Sequence, residues 1–386
     1  MKKVLILRND LLPLSETFVK AQATSLKRWQ AALFGAKLTE NSLDLSGLEL
    51  FTCSDPLSNF FGKLIFRFVD FIPGLFNPYV SKIKRSKMNL IHVHFGTDLV
   101  KWWPVLKKMN VPIVVTLHGY DINTSKEVWK NGERRWQRSY PETLVEVASS
   151  GRVKFIAVSE AVKATAVAYG LPEKHIFVHY IGVDTGAFKP DVDRPIVKRP
   201  RQILYVGRMV EKKGAPLLIE AFDAVLKSVP DAELIMVGDG PLLDECRSLA
   251  ARLGVPVLFA GSLPSSQVRD LFSHCRVFCL PSITAKSGDA EGLPIVILEA
   301  QACGVPVVTS ARGGTTEGIV SGKTGFAFAE RDVPALGEHL IALLSDDRLA
   351  TDMSLAARDF AEKKFDLEKC SSRLEDIYDM VSGIRT

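Results

Sequence analysis

The stretch HYIGVDTGAFKPDVDRPIVKRP, residues 179–200, divides the sequence into two halves that follow the same pattern. It is rich in proline and aspartate, which favour loops and turns over long helices and strands. Short apolar runs alternate with helical patterns before it, and the alternation starts again after it with RQILYVG at residue 201. We therefore predict two domains of similar size, residues 1–185 and 186–365, joined by this linker.

Both halves contain short apolar runs of the kind that form strands covered on both faces. The first half has KKVLILR, NLIHVHF, PIVVTLHG and VKFIAVS, and the second has RQILYVG, AELIMVG, PVLFAG, RVFCLPS, PVVTS and GFAFA. Continuous apolar strands that alternate with helices are typical of parallel sheets. We predict an α/β fold of two doubly wound Rossmann-like domains that face each other across a cleft, with ligands at the carboxyl ends of the strands.

Two helices are expected near the ends of the chain. SETFVKAQATSLKRW has a helical pattern, and Ser15 at its start is suited to be the N-cap. We also expect residues 366–386 to form a helix that packs back on the first domain.

The composition excludes several classes of protein. With 386 residues, 47% hydrophobic and 24% charged, the chain is typical of a globular protein of two domains. The apolar run in MKKVLILRND is too short for a signal peptide, and no run is long enough to cross a bilayer. The six cysteines form no C-x-x-C pair, which favours reduced thiols in a cytoplasmic protein. A net charge of +5 is too small to indicate a nucleic-acid partner.

Two motifs that would indicate a cofactor or a metal ion are incomplete. A dinucleotide fingerprint needs G-x-G-x-x-G, but Gly238–Gly240 is followed by Leu243 at the third glycine position. His92 and His94 alternate on one predicted strand and share a face, yet no third ligand stands at a suitable spacing. We therefore predict neither a cofactor nor a metal ion.

The stretch DAEGLPIVILEA, residues 289–300, holds two glutamates in different surroundings. Glu291 lies in a loop, whereas Glu299 lies in an apolar helix whose first turn should contain Pro294. The start of a helix favours a phosphate, so a pyrophosphate there would leave one carboxylate for a hydroxyl-rich sugar on each side. The alternative is a chance pair of one surface and one helical glutamate.

Two further motifs stand where predicted strands end. YVGRMVEKKGAP places Arg208 and Lys213 in the loop after the first strand of the second half. TLHGYDIN places His118 and Asp121 at the end of a strand of the first half. A solvated charged loop and a buried core histidine are the alternatives, but all three motifs fall at strand ends, where doubly wound sheets bind ligands.

The motifs of both halves together resemble the retaining glycosyltransferases of family 4, which have the GT-B fold. The resemblance covers most of the chain and rests on LPLSETFV, HVHFG, TLHGYD, GVDTGAF, VGRMVEKKG, VGDGPL, FAGSLP, EGLPIVILEA, GVPVVTS and GGTTEGIVSGKTGF. SETF and HGYD are most similar to the branch that builds bacterial exopolysaccharides of the colanic-acid type. Many members have a glycine-rich turn after the first strand, where this chain has RNDLLPLSET.

The resemblance implies a donor site for a nucleotide-diphosphate sugar on the second domain. Arg208 and Lys213 would pair with the diphosphate in place of a metal ion. Glu299 would hold the ribose, Glu291 the transferring sugar, and His118 would act from the first domain. The residues implied in catalysis are His118, Glu291, Arg208 and Lys213. Those implied in donor binding are Gly207, Arg208, Lys213, Gly238, Gly292, Leu293, Pro294, Ile295 and Glu299, and the candidate contacts to acceptor or sugar are Ser15, Glu16, Thr17, His94 and Asp121.

The reaction implied is transfer of a hexose from a UDP- or GDP-sugar to a saccharide or a polyprenyl-diphosphate-linked saccharide, with retention at the anomeric carbon. Nucleotide-sugar epimerases and phosphorylases share this architecture, and a non-catalytic two-lobed binding protein is a third alternative. Lengthening of an acceptor, as opposed to isomerisation of the donor, would separate a transferase from an epimerase.

Residues 57–87 combine many phenylalanines with a basic end that includes Lys82, Lys84, Arg85 and Lys87. One interpretation is a helix packed on the first domain, followed by a solvated loop. The other is an interfacial segment that meets an anionic membrane, which would make the protein peripheral at the cytoplasmic leaflet.

Overall fold

The computed structural model describes residues 2–13, 16–38, 43–52, 83 and 87–383. The chain forms two compact units. The first comprises Met1–Tyr180 and Glu368–Thr386, and the second comprises Ile181–Leu367. The change from one unit to the other lies inside the proline-rich stretch at residues 179–200.

In its described residues the first unit has one parallel sheet of seven strands. The strands are β1 (Lys2–Leu11), β2 (Trp29–Leu38), β3 (Glu49–Thr52), β4 (Leu90–His94), β5 (Ile113–Leu117), β6 (Val153–Ala157) and β7 (Ile176–Val178). Their order in the sheet is β3-β2-β1-β4-β5-β6-β7. The described helices that accompany them are α1 (Thr17–Ser25), α2 (Gly96–Leu106), α3 (Tyr120–Asn123), α4 (Lys126–Lys130), α5 (Arg135–Arg138), α6 (Tyr140–Ser149) and α7 (Glu160–Tyr169).

The second unit repeats this plan with six parallel strands. They are β8 (Gln202–Val206), β9 (Glu233–Val237), β10 (Val257–Gly261), β11 (Val277–Leu280), β12 (Val307–Ser310) and β13 (Gly325–Phe328), in the order β10-β9-β8-β11-β12-β13. The helices are α8 (Ala215–Ser228), α9 (Leu243–Leu253), α10 (Ser265–Phe272), α11 (Ile295–Ala302), α12 (Val333–Ser345) and α13 (Asp347–Lys364). The predicted α/β class with two doubly wound sheets is confirmed.

The last helix, α14 (Leu367–Ser382), completes the core of the first unit. Its Leu374 and Tyr378 are fully buried in one cluster with Val4 and Leu33 of the sheet. Burial of several such side chains stabilises this arrangement by about 1.5–3 kcal/mol each. At the end of the helix, Asp379 pairs with Nζ of Lys2 at 2.8 Å. The two ends of the chain therefore belong to one core.

The predicted helix from Ser15 through Trp29 is shorter in the structure. α1 has Glu16 as its N-cap, without a side-chain capping bond, and Ser15 lies outside the described residues. Trp29 instead begins β2, because its ring packs edge-on against Tyr378 at 5.4 Å in the core. The prediction of Ser15 as the cap was therefore wrong, and the tertiary contact of Trp29 overrode the helical pattern.

Strands β2, β3 and β7 were missed by the sequence patterns. β2 contains Gly35 among small and charged residues, while β3 has four residues and β7 three. Runs this short or this mixed do not form a clear two-residue alternation. Their pairing partners in the sheet, which the sequence does not display, determine them.

Both sheets reverse their strand order at one point. In the first unit β2 and β3 lie on one side of β1, and β4 to β7 lie on its other side, so the order reverses between β1 and β4. In the second unit the order reverses in the same way between β8 and β11. Connections leave in opposite directions there and open a crevice at the carboxyl ends of the strands. The ends of β1, β4, β8 and β11 are therefore the positions where each unit can hold a ligand.

Candidate functional site

In the second unit the loop after β8 meets the loop that carries Glu291. After β8 the chain continues through Gly207 and the exposed Arg208 into a short 3-10 turn, Glu211–Lys213. Nζ of Lys213 lies 3.0 Å from Oε1 of Glu291, and both side chains are largely buried. The fold thus joins two of the predicted catalytic residues, which stand 78 positions apart in the sequence (291 − 213).

A second ion pair lies beside the first. Nζ of Lys212 is 3.0 Å from Oδ2 of Asp289, with similar burial. Burial raises the pKa of Asp289 although Lys212 opposes this effect. Burial also acts to raise the pKa of Glu291, but the ammonium groups of Lys213 and Lys212 outweigh it and the pKa falls below the usual value. Glu291 is therefore a carboxylate at neutral pH. The cations that neutralise it can also pair with a bound anion.

Lys212 and Asp289 were missed in the sequence analysis, although each is close to a predicted residue. The signal available was that each predicted residue has a second residue of the same charge close by: Lys212 directly before Lys213, and Asp289 two positions before Glu291. Arg208 adds a third cation, because its charge lowers the pKa of both Asp289 and Glu291. Three cations and two carboxylates thus surround the end of β8.

Two glycines allow this close packing. Gly214 has φ +65°, and a Cβ there would lie 1.9 Å from the carbonyl oxygen of Pro281. Gly238 has φ +135°, and a Cβ there would lie 2.0 Å from the carbonyl oxygen of Gly207. No other residue fits either position without moving the backbone. Gly207 and Gly238 were predicted to bind the donor, and the structure brings their backbones together.

Glu299 lies in the second turn of α11, directly after the Glu291 loop. Pro294 is the N-cap of this helix and not its first residue, while Gly292 and Leu293 before it are buried. The Glu299 side chain is partly exposed, but the surrounding protein removes enough water to raise its pKa to about 7. Since burial raises this pKa, a hydroxyl group that donates a hydrogen bond to Glu299 would favour the ionised form of the carboxyl group.

This pKa predicts a pH-dependent stability in the absence of ligand. Because the folded pKa of Glu299 is about 7 and the unfolded value is about 4.3, ionisation favours the unfolded chain. The contribution of the neutral group is fully present below about pH 4.3 and is lost as the pH rises through about 7. Glu299→Gln should therefore gain unfolding free energy relative to wild type between about pH 5 and pH 8. Urea titrations at both pH values measure this difference, and a difference independent of pH would contradict it.

In the first unit Asp121 fixes the loop that follows β5. Its Oδ2 accepts from the backbone N–H of Gly96 at 2.8 Å, and its Oδ1 accepts from those of His118 and Gly119 at 3.0 Å each. The side chain is fully buried, and this burial outweighs the hydrogen bonds and raises the pKa to about 6. Asp121 was predicted as a candidate contact to acceptor or sugar. In the structure its oxygens hold the backbone of His118.

The imidazole of His118 faces that of His94. Nε2 of His118 lies 3.0 Å from Nδ1 of His94, and the two rings stack at a centroid distance of 5.2 Å. Burial, with the nearby Arg8 charge and the neighbouring histidines, lowers the pKa of both groups well below the usual value. Both imidazoles are therefore neutral at physiological pH.

Arg8 is the main functional-site residue that the sequence analysis missed. It lies near the end of β1, and its guanidinium bonds to Asp98 and to both oxygens of Glu16. It also donates to the carbonyl oxygen of His94 at 3.2 Å. An arginine inside an apolar strand is the sequence signal that could have revealed this cluster.

The remaining predicted contacts of the first unit lie close to this cluster or outside the description. Glu16 is buried and engaged by Arg8. Thr17 begins α1 and is half-buried. Ser15 lies outside the described residues, as do residues 57–82 and 84–86 of the segment for which a packed helix and a membrane contact were the two interpretations.

Two Rossmann-like units, each built on one doubly wound parallel sheet, are the architecture of the GT-B class of glycosyltransferases. A sequence comparison agrees for both halves. The profile described as Glycosyltransferase Family 4 matches residues 58–187, and the profile described as Glycosyl transferases group 1 matches residues 190–360. The chain belongs to these glycosyltransferase families, and the predicted family and fold are confirmed.

Individual curated relatives are named for phosphatidylinositol mannoside synthesis and for colanic acid biosynthesis. A GDP-mannose-dependent alpha-(1-6)-phosphatidylinositol monomannoside mannosyltransferase of Mycolicibacterium smegmatis is 36% identical over 51% of this chain and 54% of its own length. A putative colanic acid biosynthesis glycosyltransferase, WcaL of Escherichia coli, is 29% identical over 69% of this chain and 63% of its own length. The match thus spans about half the length of the first relative, and the similarity to WcaL supports the predicted exopolysaccharide branch.

Among solved structures, the Anabaena protein HepE, crystallised with UDP and glucose, superimposes with a TM-score of 0.78. The match covers 98% of this chain and 100% of HepE at 21% sequence identity, which establishes the shared fold. Within the described residues, no helix combines the length and the apolar character needed to cross a bilayer.

Proposed function

We propose that this protein is a retaining glycosyltransferase that moves a hexose from a UDP- or GDP-sugar to a saccharide or lipid-linked saccharide in polysaccharide biosynthesis. The observation that carries the proposal is the pair of Lys213 and Glu291 at the carboxyl end of β8, with exposed Arg208 beside it. It supplies cations for a diphosphate and a carboxylate for the sugar attached to that diphosphate.

The charges suit a reaction in which a diphosphate departs. As the bond between the anomeric carbon and the diphosphate oxygen breaks, negative charge grows on the leaving group and positive charge on the sugar ring. Arg208 and Lys213 stabilise the first, and the carboxylate of Glu291 stabilises the second. Glu299 accepts or donates hydrogen bonds to the ribose hydroxyls. For the first unit, we propose that His118 contacts a sugar hydroxyl.

The released diphosphate oxygen then accepts the proton of the acceptor hydroxyl. That hydroxyl oxygen bonds to the anomeric carbon from the face that the leaving group has left. The products are the nucleoside diphosphate and a glycoside of unchanged anomeric configuration. In this scheme no protein side chain becomes covalently attached to the sugar.

Donor identification comes first in the test of this proposal. Thermal denaturation in the presence of UDP-, GDP- and other nucleotide sugars should reveal the donor as the compound that raises Tm most, because binding to the folded state stabilises it by mass action. The donor is then incubated with saccharide acceptors, and NMR of the anomeric proton reports the product. A lengthened acceptor with the donor's configuration supports the proposal. Isomerised donor indicates an epimerase, and binding without turnover of any acceptor indicates a binding protein.

We expect the activity to persist in EDTA. Arg208 and Lys213 supply two positive charges at the proposed diphosphate site, which is the charge that a divalent ion would otherwise bring. Initial rates with and without EDTA, each with added magnesium or manganese, make the measurement. Abolition by EDTA with recovery on adding either metal would contradict the expectation.

The acceptor that we propose is linked to a lipid. The relatives named for phosphatidylinositol mannoside and colanic acid support this choice by similarity. The basic, phenylalanine-rich segment at residues 57–87 supports it by composition, since cations near an anionic surface bind it by about 1 kcal/mol each. A polyprenyl-diphosphate saccharide is accordingly the acceptor to try after simple sugars.

A further inference from the structure

The ring of His118 is held from three sides. His94 meets its Nε2, while the rings of Phe95 and Phe18 lie at centroid distances of 4.4 and 5.1 Å. The backbone N–H of His118 is bound to Asp121. With its backbone and one nitrogen engaged, the ring has one defined orientation.

The other ring nitrogen of His118 is available. Within the described residues, Nδ1 makes no hydrogen bond, and the residue as a whole is only half-buried. Since Nε2 is already engaged by His94, Nδ1 is the nitrogen that can face a ligand. Its protonation then decides whether His118 donates to the ligand or accepts from it.

His94 is itself held firmly. It is 1% exposed, its ring stacks on His92 at 4.3 Å, and its carbonyl oxygen accepts from Arg8 at 3.2 Å. Its Nε2 is buried without a hydrogen-bond partner in the described part of the chain. Because Nε2 has no partner, it helps to decide which of the two ring nitrogens of His94 carries the proton.

The hydrogen bond between the two imidazoles has two possible directions. If His118 donated from Nε2, His94 would carry its own proton on Nε2, as a buried N–H with no acceptor. If His94 donates from Nδ1, its Nε2 is an unprotonated nitrogen with an unused lone pair. Orphaned buried N–H groups are rarer in proteins than under-used acceptors, so the second direction is favoured.

We infer that His94 is a positioning residue that sets the tautomer of His118. It donates Nδ1–H to Nε2 of His118, so that His118 carries its proton on Nδ1 and presents an N–H donor to a sugar hydroxyl oxygen. This inference rests on the proposed function only for the identity of the ligand. The tautomer itself is a property of the ligand-free protein.

The direct test is NMR of protein labelled with ¹⁵N at histidine. The chain has seven histidines, and the signals of His94 and His118 are assigned by their loss in His94→Asn and His118→Asn. A neutral imidazole shows which nitrogen carries the proton through the two ¹⁵N shifts and their couplings to the ring protons. We expect a proton on Nδ1 of both residues. A proton on Nε2 of His118 overturns the inference, whether or not the protein proves to be a transferase.

Kinetics provide the second test, with a matched control on the same strand. In His94→Asn the side-chain amide N–H group is attached to Cγ, as Nδ1–H is in histidine, so the variant keeps a hydrogen-bond donor for His118. In His94→Leu the donor is lost, and kcat should fall about tenfold, the value of one hydrogen bond of about 1.4 kcal/mol, while KM for the donor sugar changes little. His94→Asn should recover most of this kcat.

His92→Leu is the control, because His92 is equally buried but bonds to Tyr378 and Thr116 and not to His118. Because it leaves two buried hydroxyl groups without a partner, it should lower Tm at least as much as His94→Leu while leaving kcat close to wild type. Equal kcat values for His92→Leu and His94→Leu would mean that His94 only packs in the core, and would overturn the inference.

Discussion

Replacement of Lys213 by methionine is expected to lower kcat/KM for the sugar donor by about 100-fold. Removal of one preorganised group that stabilises transition-state charge typically costs a factor of 10² to 10³. Lys213 has two tasks in the structure and the proposal: it neutralises the buried Glu291 at 3.0 Å, and it pairs with the diphosphate that departs. Steady-state rates at varied donor concentration give the ratio.

Lys212→Met is the control for this experiment. Lys212 is the adjacent residue, has the same burial and forms the same kind of ion pair, at 3.0 Å with Asp289. Both variants leave a largely buried carboxylate without its cation, so both should lose stability to a similar extent. A loss of activity confined to Lys213→Met identifies the diphosphate contact. Equal losses in the two variants would mean that only the net charge of the loop matters.

The second large effect is expected from Glu291→Gln, which should lower kcat by about 10- to 100-fold at saturating donor. The change preserves size but removes the charge that the proposal matches to the positive sugar ring. An interaction that grows in the transition state acts on kcat, whereas one that is equal in both states acts on KM. Turnover equal to wild type at saturating donor would exclude Glu291 from the chemistry.

Glu299→Gln makes the same chemical change eight positions later and is the natural comparison. Ribose contacts are similar before and during bond breaking, so this variant should raise KM for the donor by about tenfold and change kcat little. Nucleotide binding measured by calorimetry should weaken in parallel. If Glu291→Gln and Glu299→Gln change kcat and KM alike, the assignment of Glu291 to the transferring sugar and of Glu299 to the ribose is wrong.

Two features of this site were visible in the sequence because they depend on local chemistry. Pro294 restricts where a helix can begin, and the apolar run after it requires that helix to be buried, which assigned Glu299 to a helix and Glu291 to the loop before it. Gly214 and Gly238 have positive φ angles, which glycine adopts readily, so a glycine in the sequence indicates where such a turn can form.

The clusters at the strand ends were only partly predictable. Arg8 stands out in the sequence as a charged residue in an apolar run, but its partner Asp98 lies 90 positions away. The end of β1 and the starts of α1 and α2 bring Arg8, Glu16 and Asp98 together. The same holds for Lys212 and Asp289. An ion pair depends on a distance across the fold, and no pattern along one segment encodes that distance.

The amino-acid sequence by itself determined the class of the protein. Periodic apolar strands, a proline-rich boundary and glycine, proline and charged residues in the loops specify two doubly wound units, because burial on both faces and backbone conformation are properties of each segment. Only the tertiary structure decided which residues share a site. Strand order places the ends of β8 and β11, and those of β1 and β4, side by side, and this order depends on pairing between segments that are far apart in the chain. The cation that holds Glu291 and the imidazole that orients His118 follow from that pairing.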